Sequence, residues 1–252
     1  MRQFGVQEAN IVEIVKSITK YSVMITDPES IFFHLEKAFH LATTGRKGPV
    51  WLDIPLDVQN KFVSKENKDY FTAPEQEDKI NQSEKMITLQ EMLHGCNRPI
   101  ILAGNGIKLA DSQSDFKQFI EKHQIPVVTT FLGVDLLPHE HNLNIGRVGI
   151  KGNRAANFAM QNADLIISIG TRLSVPTTGY KYDFFAREAK IAVVDIDKEE
   201  HEKNTVKIDL FIQKDAKDFL NNSLEYTTSK EWINACCSWK EKWTMKSELA
   251  RV

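Results

Sequence analysis

The stretch Pro-Ile-Ile-Leu-Ala-Gly-Asn-Gly at residues 99–106 predicts the fold of most of this chain. Its five leading residues fit a strand buried on both faces, and its two glycines fit a tight turn into a helix. A similar pattern recurs at 164–172 (DLIISIGTR), and further apolar runs lie at 126–131 and 190–195. Short apolar strands that alternate with helices predict an α/β fold, a Rossmann-like doubly wound parallel sheet covered on both faces.

Periodicity supplies the remaining elements of this sheet domain. Apolar residues at helical spacing predict five helices, and a short apolar run predicts a last strand at 208–212. The five predicted helices lie at 84–93, 115–123, 152–161, 215–222 and 230–245.

A partial α/β domain is predicted before this sheet. The pattern indicates a helix, a strand, a second helix that Asp27 caps, and a second strand. These elements lie at 7–19, 20–26, 27–45 and 50–54. A strand, a helix and a strand in that order predict parallel pairing through a crossover helix. Because no strand precedes the first helix, we expect the chain to begin inside a domain.

A polar segment separates the two domains. Residues 57–82 are rich in charge and have few apolar anchors, which is typical of an interdomain linker; a long surface excursion is the alternative. We therefore predict a first domain at 1–60, a linker at 61–82, a Rossmann-like domain at 83–225 and a helical lead-out at 226–252.

Composition excludes several classes of protein. The chain has 252 residues, of which 42% are hydrophobic and 26% charged, as in soluble globular proteins. Its 34 acidic and 32 basic residues give a net charge of −2, which argues against a nucleic-acid partner. The longest apolar runs are far too short to span a membrane. Three cysteines, Cys96, Cys236 and Cys237, do not make a disulfide framework, so we expect a reduced, cytoplasmic protein.

Candidate ligand-binding residues follow the predicted strands, because doubly wound sheets bind ligands beyond the carboxyl ends of their strands. Glycines there let the backbone approach a ligand and offer N–H groups to phosphate, and Asp195 could accept hydrogen bonds from ribose or ribityl hydroxyls. The alternative is that the glycines serve only tight turns and that the acids cap helices. The glycine turn at 104–106 also lacks the third glycine of the dinucleotide fingerprint.

No nucleophile, base or metal arrangement stands out in the sequence. His139 and His141 flank Glu140, but a solvated loop explains them better than a metal site does. Cys236 and Cys237 lie in a tryptophan-rich helical segment, which favours core packing over redox chemistry.

Several segments together resemble the acetolactate synthase-like thiamine-diphosphate enzymes. The most specific is 45–59 (GRKGPVWLDIPLDVQ), and FGVQE at 4–8 supports it. Residues from about 83 to 222 are similar to the central domain of that family, through the glycine turn at 104–106, Gly-Thr-Arg at 170–172 and Asp-Ile-Asp at 195–197. The resemblance implies an internal fragment: the end of a pyrimidine-binding domain, then the complete central domain. The family's catalytic glutamate and its Gly-Asp-Gly…Asn-Asn magnesium motif are not in this sequence.

The resemblance implies a function for the full-length parent. It would be a 2-oxo acid decarboxylase or carboligase that uses thiamine diphosphate and Mg²⁺, acts on a small 2-oxo acid and forms a homodimer or homotetramer. The partners of this chain would be the missing N- and C-terminal portions of the same polypeptide, and the isolated chain would be inactive. The alternative is a stand-alone nucleotide-binding or interaction module without catalysis.

The resemblance also implies roles for individual residues. Gln7 matches a glutamine near the substrate, with Phe4 close by; a helix cap and staple is the alternative. In flavin-containing members the central domain binds FAD. The matching positions here are Gly104, Asn105, Gly106, Thr130, Phe131, Leu132, Gly149, Gly152, Gly170, Arg172, Asp195, Glu200 and Asp215.

Two departures from the family pattern leave FAD binding open. Leu-Ser-Val-Pro follows Arg172 where flavin-containing members have Phe-Asp-Asp-Arg, and Ile150-Lys151 replaces their Met-His. The pattern after Arg172 is closer to a flavin-free branch found among enzymes of sugar and polysaccharide synthesis.

Overall fold

The computed structural model describes residues 9–64, 69–74, 80–222, 224–244 and 247. The chain divides into two compact units, residues 1–77 and 78–252. The finer segment boundaries at 60, 82 and 225 remain predictions.

Among its described residues, the first unit holds two strands and three α-helices. In chain order these are α1 (Ile11–Val15), β1 (Tyr21–Met24), α2 (Ile31–Thr43), β2 (Val50–Asp53) and α3 (Leu56–Gln59). The two strands pair in parallel, as predicted, with Tyr21 opposite Val50. Asp27 accepts a hydrogen bond from the backbone N–H of Glu29 (3.0 Å) and so caps a 3₁₀ turn that leads into α2.

The second unit contains six strands and eight helices within its described residues. The strands are β3 (Pro99–Ala103), β4 (Val127–Thr129), β5 (Asn144–Arg147), β6 (Leu165–Ile169), β7 (Lys190–Asp195) and β8 (Leu210–Gln213). The helices are α4 (Ile80–His94), α5 (Gly106–Leu109), α6 (Gln113–His123), α7 (Arg154–Asn162), α8 (Val175–Thr178), α9 (Lys198–His201), α10 (Ala216–Leu220) and α11 (Lys230–Lys242).

The six strands form one parallel sheet in the order β5-β4-β3-β6-β7-β8. The chain winds outward from β3 in one direction and from β6 in the other, which makes the sheet doubly wound. Successive residues point to opposite faces, so Ile166 belongs to one buried apolar cluster and Ile167 to the other. The predicted fold class, with a smaller α/β part before the sheet, is therefore confirmed.

Helix α11 packs against the rest of the second unit through the side that carries its tryptophans. Trp232 and Cys236 are buried, and the indole Nε1–H of Trp232 donates to the carbonyl oxygen of Pro99 at 2.9 Å. Burial raises the pKa of the Cys236 thiol to about 12, so the thiol stays protonated at neutral pH. This environment agrees with the predicted packing role. Within the part of the chain that the structure describes, we find no helix long and apolar enough to cross a membrane.

Candidate functional site

The sheet reverses its winding direction between β3 and β6, and three predicted glycines meet at this point. Gly104 and Gly106 follow β3, and Gly170 follows β6. A Cβ atom on Gly104 would lie 2.2 Å from the carbonyl oxygen of Gly170, and one on Gly106 would lie 2.5 Å from the Gly170 Cα. Only glycine allows the two backbones to come so close.

Two backbone N–H groups of this turn already have partners. The N–H of Gly104 donates to the carbonyl oxygen of Ile169, and that of Gly106 donates to the carbonyl oxygen of Gly170, both at 2.9 Å. Neither N–H is therefore available to a phosphate. At these two positions the structure favours the tight-turn interpretation, in which the glycines shape the site without donating to a ligand.

The loop after β6 presents Arg172 at the same edge. Gly170 has φ +58° and Leu173 has φ +48°, so the chain turns sharply on both sides of Arg172. The Leu173 side chain is buried, which holds the strained backbone in place. The side chain of Arg172 is 59% exposed.

Glu200 orients Arg172. The guanidinium Nε of Arg172 donates to Oε1 of Glu200 at 3.0 Å, and Lys203 contacts the same oxygen. The Glu200 side chain is only 9% exposed. Since the buried carboxylate fixes one side of the guanidinium, the exposed arginine is held in a defined orientation, as anion recognition requires.

Asp195 ends β7, the strand beside β6, and is also engaged within the protein. Its Oδ1 accepts a hydrogen bond from the backbone N–H of Asp197 at 3.0 Å. Asp197 in turn caps α9 by accepting the N–H of Glu200 at 3.1 Å. Capping therefore explains Asp197, while the Asp195 carboxylate, which caps no helix, lies at the edge where ligands bind in such sheets.

His201, which sequence reasoning did not single out, lies against Asp195. Its Nε2 is 3.5 Å from Oδ2 of Asp195. The signal that could have found it is its place in α9, the short helix that follows the Asp-Ile-Asp segment.

Apolar side chains follow β4, and a cation ends the neighbouring strand β5. Phe131 and Leu132 are 64% and 60% exposed, and the Arg147 guanidinium carbon lies 5.3 Å from the centroid of the Phe131 ring. Thr130 is buried, and its N–H donates to the carbonyl oxygen of Ala103 at 3.0 Å. The exposed pair offers an apolar surface beside a cation, a combination that suits a planar ring.

Gly149 and Gly152 shape the loop after β5. Gly149 has φ +103°, and a Cβ there would lie 2.0 Å from the carbonyl oxygen of Pro176. Its N–H donates to Oδ1 of Asn157 at 2.8 Å. Next to this loop lies a cleft of about 210 Å³, whose lining includes Gly149, Ile150, Thr177, Thr178 and Phe185.

Strand order decides which predicted residues come together. Parallel strands place their carboxyl ends on one edge, so the turns after β4, β3, β6 and β7 follow one another along it. Asp215 lies farther along, after β8, where it caps α10 by accepting the N–H of Lys217 at 2.8 Å. Phe4 and Gln7 lie outside the described residues. Their predicted role, like the ligand roles of the other residues, stays a prediction.

The described residues contain no group of three or more His, Cys, Asp or Glu side chains that could hold a metal ion. The loop with His139 and His141 is instead held by α11, because Nζ of Lys240 donates to both of their carbonyl oxygens, at 2.6 and 3.1 Å.

Comparison with known proteins agrees with this architecture. The family model of the thiamine pyrophosphate enzyme central domain matches residues 87–222. The acetolactate synthase large subunit of Lactococcus lactis is 37% identical over 243 residues, which are 94% of this chain and 42% of that protein. The probable large subunit of Methanocaldococcus jannaschii is 35% identical over 240 residues, 90% of this chain and 40% of that protein.

A third relative, the acetolactate synthase large subunit of Corynebacterium glutamicum, is 37% identical over 240 residues, 90% of this chain and 38% of that protein. The chain thus spans about two fifths of the length of the curated relatives it matches. The doubly wound sheet, the glycine turns at its centre and these matches lead to one conclusion: this chain belongs to the thiamine pyrophosphate enzyme family and contains its central domain.

Proposed function

We propose that the second unit binds a nucleotide, FAD in the first instance, at the carboxyl edge of its sheet. The observation that carries this proposal is Arg172, an exposed guanidinium whose Nε is fixed by the buried carboxylate of Glu200. Among the described residues, Nε is the only Arg172 nitrogen with a hydrogen bond. The two terminal nitrogens are thus free to donate to the oxygens of a diphosphate, the group that arginine binds best.

The neighbouring residues fit the other parts of a nucleotide. Asp195, at the end of the adjacent strand, would accept hydrogen bonds from ribose hydroxyls. Phe131 and Leu132 offer an apolar surface to a ring system. The glycines at 104, 106 and 170 keep the centre of the edge free of side chains, so a ligand can lie across the switch point.

We propose a further role for the whole protein, namely a thiamine-diphosphate-dependent decarboxylase or carboligase of a small 2-oxo acid that works as a homo-oligomer. Family membership and the named relatives support this proposal. Thiamine diphosphate would supply the electron sink for such chemistry. Because the described residues contain no group of three or more His, Cys, Asp or Glu side chains that could hold a metal ion, we assign no catalytic step to them. A nucleotide-binding module without catalysis is the alternative for the whole protein.

The test is a release and rebinding assay on the 252-residue chain. One sample of the purified protein is denatured, and its supernatant is analysed for flavin and adenine nucleotides. The affinity of a second, folded and nucleotide-free sample for FAD and ADP is measured by calorimetry. We expect FAD or an adenine nucleotide in the supernatant. We also expect Arg172→Met to weaken binding by about tenfold or more, because a charge-assisted bond to phosphate is lost.

Arg187→Met is the matched control. Arg187 is also exposed, but it precedes β7 and therefore belongs to the opposite edge of the sheet. Its replacement should leave the affinity unchanged. A protein that releases no nucleotide and binds neither FAD nor ADP would refute the proposal.

A further inference from the structure

His201 is a buried imidazole whose place is not explained by core packing alone. It is the last residue of α9, and its side chain is only 3% exposed. The ring packs 5.4 Å from that of Phe211 on β8. Its Nε2 is buried and makes no hydrogen bond with any described residue. Buried polar atoms are nearly always paired in folded proteins, so an unpaired one at a candidate site indicates a function.

The nearest acceptor for this nitrogen is Asp195. The 3.5 Å from Nε2 to Oδ2 is longer than the usual 2.9 Å of an N–H···O hydrogen bond, so the contact is incomplete. The other carboxylate oxygen, Oδ1, is already held by the N–H of Asp197. Asp195 is thus fixed on one side and loosely held on the other. Such contacts often tighten only when a ligand is bound.

We infer that His201 is a positioning residue for Asp195 in the recognition of ribose hydroxyls. When a ribose is bound, Nε2–H of His201 donates to Oδ2, which holds the carboxylate in place and leaves its outer lone pairs for the ligand. This inference rests on the proposed function, because it assigns Asp195 a ligand. It also names the feature of the nucleotide that the site recognises, a free hydroxyl on the ribose.

The experiment compares ADP with 2′-deoxy-ADP and 3′-deoxy-ADP on the full chain. We expect the wild-type protein to bind ADP about tenfold more tightly than at least one deoxy analogue, since a hydrogen bond to a carboxylate is lost. His201→Leu, which keeps an apolar side chain of similar size, should reduce that ratio to about twofold or less. His201→Asn, whose amide N–H can donate to Asp195, should retain most of it.

The ratio between two ligands is informative because a purely structural defect would weaken ADP and its deoxy analogues alike. An unchanged ratio in His201→Leu, together with wild-type binding of ADP, would overturn this inference and leave the proposed function intact. A wild-type chain that binds neither ADP nor FAD would overturn both.

A second readout needs no variant and covers the case in which His201→Leu does not fold. In the ¹H–¹⁵N NMR spectrum of the wild-type chain, the resonance of the proton on Nε2 of His201 should move downfield on addition of ADP, because its hydrogen bond shortens. The deoxy analogue that lacks the recognised hydroxyl should move it less. A resonance that stays in place with ADP bound would count against the positioning role.

Discussion

Gly104 lies where the turns after β3 and β6 come so close that only backbone atoms fit between them. Its neighbour across the switch point, Gly170, leaves no space for even a methyl group. The requirement is steric, because the turn after β3 approaches closely enough to donate two backbone hydrogen bonds to the carbonyl oxygens of Ile169 and Gly170. At the residue scale, the geometry of the site therefore depends on glycines that touch each other. Arg172 and Asp195, for which we propose ligand contacts, follow β6 and end β7, on one side of this contact.

Replacing Gly104 tests this packing. We expect Gly104→Ala to destabilise the second unit by about 1–3 kcal/mol, as overpacking does, because the new methyl group would overlap the carbonyl of Gly170. Gly95→Ala is the control, since a Cβ there would meet its nearest atom at an ordinary 3.5 Å, and its effect should stay within about 0.5 kcal/mol. Urea unfolding of the two variants decides the question; equal stabilities would show that the switch point can relax.

His123 gives a prediction about pH. Burial lowers the pKa of its imidazole, whose Nδ1 lies 2.9 Å from the carbonyl oxygen of Tyr226. The unfolded chain therefore takes up a proton at higher pH than the folded chain does. The stability due to neutral His123 is complete above the unfolded pKa of about 6.5 and falls as the pH drops toward the folded pKa.

The measurement is the free energy of unfolding of the wild type and His123→Gln between pH 5 and pH 8. The wild-type protein should lose more stability on acidification than the variant does. Parallel pH profiles would contradict the prediction, and the comparison cancels the contribution of the other histidines.

At the element scale, the sequence predicted every described strand except β5. β3 is a uniform apolar run and β6 is one apart from Ser168, and the structure has both at the predicted positions. β5 reads Asn-Ile-Gly-Arg, so neither alternation nor an apolar run marks it. Its Asn144 is buried because the side-chain amide donates to the carbonyl oxygens of Leu137 and Pro138.

The short helices were also not predicted from the sequence. α5, α8 and α9 have four residues each, which is too short for a helical period to be visible in the sequence. The glycine turns and Arg172 could be predicted as candidate site residues from their places after strands. Two of the turn N–H groups donate to backbone carbonyls, and Glu200 fixes Arg172. Both facts depend on contacts between segments distant in the sequence, which no local pattern reveals.

Helix α11 offers a prediction at this scale. Trp232→Phe should destabilise the second unit by about 1–3 kcal/mol, because the buried carbonyl of Pro99 loses its indole donor. Trp243→Phe is the control: the Trp243 indole packs edge-to-face on Phe158, a contact that a phenyl ring can partly keep. A smaller change is therefore expected there, and thermal unfolding of both variants measures the difference.

At the scale of the whole molecule, the chain divides into two compact units and belongs to a family of thiamine enzymes. Its described residues contain no group of three or more His, Cys, Asp or Glu side chains that could hold a metal ion. Our two proposals thus make separate demands on the chain. The proposed nucleotide site needs one edge of one sheet, which lies entirely within the second unit. The proposed thiamine chemistry needs a bound magnesium ion as well.

This separation predicts the outcome of an activity assay. With thiamine diphosphate, Mg²⁺ and pyruvate, we expect the 252-residue chain to consume no pyruvate, while it still binds a nucleotide. The acetolactate synthase large subunit of Lactococcus lactis serves as the positive control. Turnover by this chain would refute the expectation.

The strand order has a consequence for how the second unit folds. β3 and β6 are neighbours at the centre of the sheet, yet Pro99 pairs with Leu165, so the chain must close a long loop before this pairing forms. Loop closure of this kind costs entropy and slows folding. The edge where we place the nucleotide exists only after the two halves of the sheet have docked. A bound nucleotide would therefore hold together the pairing that closes the longest loop between neighbouring strands of this sheet, and we expect its main effect on the unfolding rate.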